Sequence, residues 1–124
     1  MTDRELLELA AKAAGINVDW YATINEEIAG NGSYYRKEGV RSLRWNPLKD
    51  DGDALRLAVL LSLRVEPYTG VKMNEQQELV ANITDVYSLH SAAIQLSEPH
   101  SLDPGAATRR AIVRVAAEIG KAHP

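Results

Sequence analysis

Three segments with helical hydrophobic periodicity, separated by two segments rich in β-branched and aromatic residues, constrain the fold more than any other feature of this chain. The first helical segment begins at Thr2, which has a capping-box spacing to Glu5. An apolar stripe follows along Leu6–Ala13, and Gly15 then supplies a residue that readily adopts the left-handed conformation at a helix end. A helix is therefore predicted at about residues 3–14.

The last helical segment begins at Asp103-Pro104, where an acidic N-cap residue precedes a proline whose missing N–H group costs nothing in the first turn. Apolar residues then recur at helical spacing on one side: Ala107, Ala111, Ile112, Val115, Ala116 and Ile119. Gly120 follows this stripe and is interpreted as the end of the helix. The pattern predicts a helix at about residues 104–120.

The middle helical segment follows the stretch WNPLKDDGDALRLA, which starts at Trp45. A helix is predicted here at about residues 51–64. Between residues 54 and 63 only Arg56 and Ser62 are polar, so the helix is apolar on nearly every side. Helices of this kind are usually covered on more than one side. The sequence therefore predicts either a position between a sheet and another helix, or a contact of its outer face with a partner subunit.

Three aspartates at the start of this helix, Asp50, Asp51 and Asp53, have two interpretations. One is a calcium or magnesium site, because hard cations take carboxylate oxygens. However, Gly52 comes too early for an EF-hand loop, and no glutamate lies in the following helix. The other interpretation is capping, in which Asp50 or Asp51 accepts backbone N–H groups and Asp53 complements the helix dipole. Capping also fits the extended approach that Asn46-Pro47 favours, and we adopt it.

The first β-rich segment, Asn17–Trp45, is expected to contain several short strands. Asn31-Gly32 is a two-residue hairpin signal, because both positions tolerate positive φ. Gly39 allows a further turn. The strands are expected within residues 18–24, 33–36 and 40–45.

The second β-rich segment is predicted to form a strand at Glu66–Met73, which resumes after Pro67. The region Leu79–Leu96 is apolar and β-branched enough for one or two more strands, and Glu98-Pro99 ends it. The order helix, strands, helix, strands, helix predicts a single α+β domain over residues 1–124, with no internal repeat or linker.

The composition excludes several classes of function. The 124 residues contain no cysteine, so disulfides, thiolate nucleophiles and zinc–thiolate sites are impossible. The net charge of -3 provides no global positive field that would attract nucleic acid or anionic membranes. The N-terminal stretch MTDRELLELAAKAAG does not resemble a secretory signal, and the longest apolar stretch, Leu57–Leu61, is too short to span a bilayer. We expect a soluble cytoplasmic protein.

One segment combines basic and aromatic side chains as nucleic-acid-binding surfaces do. Seven residues would form this site: Tyr34, Tyr35, Arg36, Lys37, Arg41, Arg44 and Trp45. The cations would contact phosphates and the rings would stack on bases. The alternative is a hairpin with one solvated face, on which long basic side chains cover aromatic ones. Because the whole chain is acidic, nucleic-acid binding is our second hypothesis.

No combination of residues predicts catalysis. Three histidines are scattered along the chain: His90, His100 and His123. His100 with Glu98 and Asp103 is a conceivable metal trio, but it falls in a loop before a helix, where polar residues are expected anyway. The stretch Ser88–Ser91 lacks the glycines of a nucleophile elbow, and AGNGSYYRK lacks the Lys-Ser/Thr of a phosphate loop. We predict no enzymatic activity, no cofactor and no metal.

Three segments resemble the small proteins of tailed phages and prophages that form the phage ABA sandwich domain family. They are LLELAAKAAGI (Leu6–Ile16), WNPLKDDGDALRLAV (Trp45–Val59) and AATRRAIVRVAAEIG (Ala106–Gly120), about a third of the chain. The resemblance implies a layered helix–sheet–helix sandwich with a largely antiparallel sheet and three helices. It also implies a phage or prophage protein in a bacterial host cell. It carries no catalytic residue and no substrate.

Our leading hypothesis is therefore a non-enzymatic phage accessory protein that acts as a protein-interaction module. Its surface would be the spare apolar face of the helix at residues 51–64, or the aromatic hairpin. The partner would be an unidentified protein or a second copy of the chain.

Overall fold

The computed structural model describes residues 1–89 and 94–122, and within them the chain forms four helices and six strands. The elements in chain order are α1 (Asp3–Ala14), β1 (Val18–Tyr21), α2 (Ile24–Ile28), β2 (Ser33–Glu38), β3 (Arg41–Trp45), α3 (Asp51–Leu60), β4 (Leu63–Met73), β5 (Leu79–Ser88), β6 (Gln95–Pro99) and α4 (Pro104–Ala122). The predicted α+β class is confirmed.

The strands form two separate antiparallel sheets, each of three strands. The first sheet has the order β1-β2-β3, and the second has the order β4-β5-β6. The antiparallel pairing agrees with the prediction. The division into two sheets was not predicted, because local sequence patterns do not determine which strands become neighbours.

A fourth helix, α2, lies where extended chain and a tight hairpin were predicted. Thr23 and Glu26 form a reciprocal capping box: each side chain accepts the other residue's backbone N–H at 3.1 Å. The prediction of a two-residue hairpin at Asn31-Gly32 was therefore wrong. Residues 22–32, including α2, connect the paired ends Tyr21 and Ser33 of β1 and β2.

The predicted turn at Gly39 does occur, and it is the tight hairpin of the first sheet. Glu38 pairs with Arg41, so Gly39 and Val40 form the two-residue connection. Gly39 has φ of 64°, a conformation that glycine adopts without the steric cost of a Cβ atom.

Helix α3 and strand β4 meet earlier than predicted. The helix ends at Leu60, and Ser62 turns the chain with φ of 54°. Strand β4 begins at Leu63, three residues before the predicted start at Glu66, so Pro67 lies well inside the strand. This position is tolerated because β4 is an edge strand, paired only with β5.

Helix α1 has the predicted bounds, but α4 continues beyond Gly120 to Ala122. The prediction that Gly120 ends the helix was wrong. Gly120 is instead buried, and a Cβ atom placed there would lie 2.1 Å from the carbonyl oxygen of Leu9 in α1. The glycine therefore permits close helix–helix packing.

The main core lies between α1, α4 and the inner face of the second sheet. Helix α1 contributes Leu6, Leu7, Ala10 and Ala11, and α4 contributes Ala111, Ile112, Val113, Val115, Ala116 and Ala117. Val86 covers this layer from β5, and Leu57 adds the buried side of α3. The first sheet joins the same cluster through Tyr34 and Trp45. Small alanines at these positions let the helices approach closely, while the larger side chains fill the remaining space.

Candidate binding surface of the first sheet and helix α3

The aspartates before α3 build the entrance of that helix. Asp50 is the N-cap residue, and its carboxylate accepts the backbone N–H of Asp53 at 2.8 Å. Asp53 is only 5% exposed, and its two oxygens accept the Asn46 backbone N–H at 2.9 Å and the Arg56 guanidinium at 2.8 Å. The predicted capping role is confirmed for Asp50, and Asp53 additionally fixes the loop that leads into the helix.

Asp51 has a different role, because it connects α3 to α4. Its carboxylate forms an ion pair of 2.7 Å with the guanidinium of Arg109. Arg109 also donates a hydrogen bond of 2.9 Å to the Leu48 carbonyl oxygen. Nowhere in residues 1–89 and 94–122 do three or more His, Asp or Glu side chains form a group that could hold a metal ion.

The residues of the conceivable metal trio around His100 also have separate partners. His100 is buried and its Nε2 lies 2.8 Å from the Thr84 hydroxyl, which also contacts the Thr108 hydroxyl at 2.8 Å. Glu98 pairs with Arg114 of α4, and Asp103 accepts the Ala106 backbone N–H. His90 and His123 lie outside the described residues.

The seven residues of the predicted nucleic-acid site are divided between the two faces of the first sheet. Cross-strand pairing and the alternation of side chains place Tyr34, Arg36, Arg41 and Trp45 on the face toward the core. Tyr35, Lys37 and Arg44 lie on the opposite, open face. The sheet therefore does not bring all seven side chains to one surface.

Tyr34 and Trp45 are part of the core and are not available to stack on a base, with exposures of 4% and 2%. The Tyr34 hydroxyl donates to the Glu8 carboxylate and accepts a hydrogen bond of 3.2 Å from Arg4. Its ring packs edge-on against Trp20 at 4.9 Å between centroids. Burial and the hydrogen bond with Glu8 raise the pKa of Tyr34 above its ordinary value.

The open face of the first sheet carries an aromatic pair with cations beside it. Tyr21 and Tyr35 pack edge to face with 6.3 Å between ring centroids, and Tyr21 is exposed. Arg44 lies opposite Tyr35 in the strand pairing, and a hydrogen bond with Tyr35 raises the pKa of Arg44 above its ordinary value. Lys37 is exposed on the same face.

Unpaired positive charge is concentrated in and just after the first sheet. The arginines of α4 all have acidic partners, in the pairs Arg109–Asp51, Arg110–Asp3 and Arg114–Glu98. In the part of the chain that the structure describes, the cations without an ion pair are Lys12, Lys37, Arg41, Arg44 and Lys49. Residues 36–49 contain five cationic residues and one acidic residue, Glu38, in a chain with a net charge of -3. This segment is therefore a local electropositive region.

A cleft separates the first sheet from α3. It consists of two hollows of about 460 Å³ each, which share the lining residues Arg36, Asp53 and Arg56. The first hollow is also lined by Ile16, Leu57 and Leu60, and the second by Leu43, Asn46, Lys49 and Asp50. The hollows are also bordered by three residues of the open face of the first sheet: Asp19, Lys37 and Arg44. We call this region the α3 cleft.

The outer side of α3 is apolar and exposed. Leu55, Val59 and Leu60 have exposures of 65%, 71% and 59%, whereas Leu57 and Ala58 on the other side of the helix are buried. Within the described residues, the helix is thus covered on one side only. Because α3 is apolar on nearly every side, its uncovered side exposes large aliphatic side chains to solvent. One of them, Leu60, also lines the α3 cleft.

Arg36 and Arg56, which line both hollows of the α3 cleft, were not predicted to belong to one surface. In the sequence, Arg56 is an isolated polar residue of an apolar helix. The spacing of Asp53 and Arg56 at i and i+3 does indicate a helical ion pair. No sequence signal indicates that Arg36 of β2 lines the same cleft as Arg56, since the two residues are twenty positions apart in the chain.

A second polar cluster lies on the outer face of the second sheet. Asp85 is buried and accepts hydrogen bonds of 2.5 Å from Lys72 and from Ser97, beside a pocket of about 140 Å³. Burial by itself raises the pKa of Asp85, but the hydrogen bonds and the charge of Lys72 outweigh it and hold the pKa below its ordinary value. A carboxylate of lowered pKa is a weak general base, so this cluster acts as a structural ion pair.

Comparison with known proteins found no family model, no curated protein and no solved structure that matches this chain. Among the described residues, no helix is long and apolar enough to cross a membrane.

Proposed function

We propose that this chain is a non-enzymatic accessory protein of a phage or prophage that works by binding another protein. The phage origin, the bacterial cytoplasmic location and the layered helix–sheet–helix arrangement rest on the resemblance of three segments to the phage ABA sandwich domain family. The binding role rests on the surface of α3. Both parts are open to separate experiments.

The observation that carries the binding role is the exposed aliphatic side of α3. Removing a Leu or Val side chain from water contributes roughly 1.5–3 kcal/mol when it becomes fully buried. Leu55 and Val59 are four positions apart and so lie side by side on the helix surface, and the exposed Leu60 lies further round the helix, at the α3 cleft. A partner that covers these side chains gains this free energy on binding. In the isolated chain, an unoccupied docking surface is expected to leave such side chains exposed.

The non-enzymatic assignment is supported by what the acidic and histidine side chains do. Asp50 caps α3, Asp53 holds the preceding loop, and Asp85 is paired with Lys72. His100 is hydrogen-bonded inside the core to Thr84. Each of these groups has a structural partner. The Thr84 hydroxyl beside His100 is fully buried and also contacts Thr108, and the Ser97 hydroxyl beside Asp85 belongs to the ion-pair cluster with Lys72.

The test is capture of host and phage proteins from induced bacterial cells with the tagged chain and with the double variant Leu55→Ser/Val59→Ser. Loss of these contacts is expected to weaken binding by roughly 3 kcal/mol, about a hundredfold, and so to remove the specific partner. The matched control is Leu102→Ser, because Leu102 is fully exposed but lies before α4, far along the chain from α3.

Retention of the partner by Leu102→Ser and its loss from the double variant would support the proposal. Identical captured proteins for all three chains would contradict it. Light scattering of the purified chains decides whether the partner is a second copy, since a dimer that the double variant dissociates identifies self-association through α3.

A second candidate function is binding of single-stranded nucleic acid by the open face of the first sheet. The specific observation is the ring pair of exposed Tyr21 and partly buried Tyr35, with Lys37 and Arg44 on the same face. Rings on a sheet face stack on bases while cations contact phosphates. Asp19 lies opposite Tyr35 and Glu26 acts electrostatically on Arg44, and both reduce this attraction.

Fluorescence anisotropy with short labelled single-stranded and duplex DNA at low salt tests this second function. We expect binding of the single strand that weakens as salt increases and that Arg44→Ala or Tyr35→Ala reduces. Tyr34 is not part of this surface, so a variant there serves only as a test of folding. Absence of binding at low salt would refute the second function, because phosphate contacts are strongest there.

A further inference from the structure

We propose that the α3 cleft and the exposed side of α3 together bind an acidic segment of the partner protein, one that carries both carboxylate and aliphatic side chains. This inference rests on the proposed protein-binding function and specifies the chemistry of the partner. The cleft would receive the carboxylates, and Leu55, Val59 and Leu60 would contact the aliphatic side chains.

The two halves of this surface are adjacent on the same helix. Arg56 and Leu60 are four positions apart on α3, and both line the α3 cleft. Leu55 directly precedes Arg56, and Val59 directly precedes Leu60. Leu55 and Val59 therefore form the neighbouring exposed strip of the helix. A single bound segment can therefore contact the cationic cleft and the aliphatic strip at the same time.

The cleft has cationic hydrogen-bond donors available for carboxylates. Arg36 uses one guanidinium nitrogen on Glu38, at 3.0 Å, and Arg56 uses one on Asp53. Within the described chain the other nitrogens of these guanidiniums donate no hydrogen bond, and Lys49 forms no ion pair. Arginine presents a planar set of donors that matches a carboxylate with two parallel hydrogen bonds.

The arrangement of charges favours a protein segment over nucleic acid. Asp19, Asp50 and Asp53 line the cleft together with the cations, and Glu38 is bonded to Arg36. A polynucleotide carries a negative charge at every residue and would meet these acids, whereas a peptide can place its carboxylates only opposite the cations. The ring in the cleft, Trp45, is buried and offers no stacking surface, while aliphatic side chains border the site.

The size of the cleft also exceeds the needs of a single small anion. Its two hollows of about 460 Å³ each share the lining residues Arg36 and Arg56. Side chains that are spaced along a peptide can occupy both hollows from one backbone. The segment would then bind by several weak charged contacts that set specificity, and the aliphatic strip would supply most of the affinity.

The experiment measures binding of three labelled probes to the full chain by fluorescence anisotropy. The probes are a short peptide of alternating glutamate and leucine, the same peptide with glutamine in place of glutamate, and a short oligothymidylate. We expect the glutamate peptide to bind and the other two to bind at least tenfold more weakly, since each tenfold corresponds to about 1.4 kcal/mol. The double variant Arg36→Met/Lys49→Met is expected to weaken the glutamate peptide by about tenfold, through loss of two partly exposed charge contacts.

The matched control is Arg64→Met, which removes an arginine that is paired with Glu66 on the second sheet. Circular dichroism and thermal melting verify that each variant is folded. Arg56 is left intact, because its removal would leave the buried carboxylate of Asp53 without its cation.

Equal binding of the glutamate and glutamine peptides, or equal weakening by Arg64→Met, would overturn the inference. Preferential binding of oligothymidylate that Arg36→Met/Lys49→Met abolishes would also overturn it, in favour of a nucleic-acid site. The proposed function can survive this failure. If the partner protein binds Arg36→Met/Lys49→Met but not Leu55→Ser/Val59→Ser, the chain binds a protein through α3 without recognising an acidic segment.

Discussion

Gly120 of α4 packs directly on the backbone of Leu9 in α1. A Cβ atom at position 120 would lie 2.1 Å from the Leu9 carbonyl oxygen and 2.9 Å from its carbonyl carbon. The neighbouring core positions of the two helices, such as Ala10 and Ala116, are also small and fully buried. The distance between α1 and α4 therefore depends on the absence of a side chain at Gly120.

Substitution Gly120→Ala is expected to destabilise the fold by about 1–3 kcal/mol, despite the better helix propensity of alanine, because the new methyl group meets rigid backbone. Urea denaturation measures the free energy of unfolding. The matched control is Gly105→Ala in the same helix, where the nearest atoms to a Cβ are the ends of the flexible Arg109 and Asp103 side chains, at 3.3 Å. This control should change stability by less than about 1 kcal/mol. Equal losses for the two variants would show that the helix contact is not tight.

The three aspartates at the start of α3 are expected to differ in their contribution to stability. Asp50→Ala removes an N-cap and should cost about 1 kcal/mol. Asp53→Ala removes the acceptor for the Asn46 N–H and the partner of Arg56, and should cost about 1–3 kcal/mol. Asp51→Ala breaks one exposed ion pair with Arg109 and should cost less than about 1 kcal/mol.

Thermal melting ranks the three variants, and calcium, magnesium and manganese serve as ligands in the same measurement. A metal that binds the native state raises the melting temperature, so no change is expected for the parent chain. A rise that Asp50→Ala and Asp53→Ala both abolish would restore the metal-site interpretation that we rejected.

Asp85 is expected to make the stability of the second sheet dependent on pH in the acidic range. Its pKa is lower in the folded chain than in the unfolded chain, where an aspartate has a pKa of about 3.9. The folded state therefore binds fewer protons, and the stabilisation is fully present above about pH 3.9 and is lost as pH falls through the folded pKa. The variant Asp85→Asn should lose this dependence, so its difference from the parent chain should shrink with acidification.

Urea denaturation at a series of pH values measures this effect. Lys72→Met should flatten the same profile, because the hydrogen bond and charge of Lys72 lower the pKa of Asp85. Lys121→Met is the control, since Lys121 forms an exposed pair with Glu118. A parent-like profile for Asp85→Asn would assign the acid sensitivity to other carboxylates.

The Thr84 hydroxyl is expected to be important for the packing of α4 on the second sheet. It contacts both the His100 ring nitrogen and the Thr108 hydroxyl at 2.8 Å in a buried setting. Thr84→Val keeps the shape but leaves these groups without their partner, and should cost about 1–3 kcal/mol. Thr84→Ser keeps the hydroxyl and should retain more of the stability than Thr84→Val does. The reverse order in a denaturation experiment would show that the methyl group, not the hydroxyl, matters.

Features that depend on a few neighbouring residues could be predicted well. The bounds of α1 follow from Thr2 and Gly15, and the entrance of α3 follows from Asp50. The same local chemistry was present for α2, because Thr23 and Glu26 have the capping-box spacing. That helix was missed because the β-branched residues Thr23 and Ile24 were assigned to extended chain, and the spacing of Thr23 and Glu26 was overlooked.

The candidate site could be predicted only in part, because strand alternation divides residues that are neighbours in the sequence. Tyr34 and Tyr35 are adjacent in β2, yet one is in the core and the other is on the open face. Either face of the strand carries aromatic and basic residues, so composition does not select the buried one. The exposed side of α3 was anticipated as one of two alternatives, whereas the α3 cleft depends on how the first sheet sits against that helix.

The sequence by itself determined α1, α3, α4, most of the strands and the α+β class, because hydrophobic periodicity and capping act over a few residues. Only the tertiary structure decided the division into two sheets, the burial of Tyr34 and Trp45, and the position of Arg36 and Arg56 along one cleft. Gly120 shows the reason most directly. Glycine fits both the end of a helix and a close contact within one, and the backbone of Leu9, more than a hundred residues away, selects the second role.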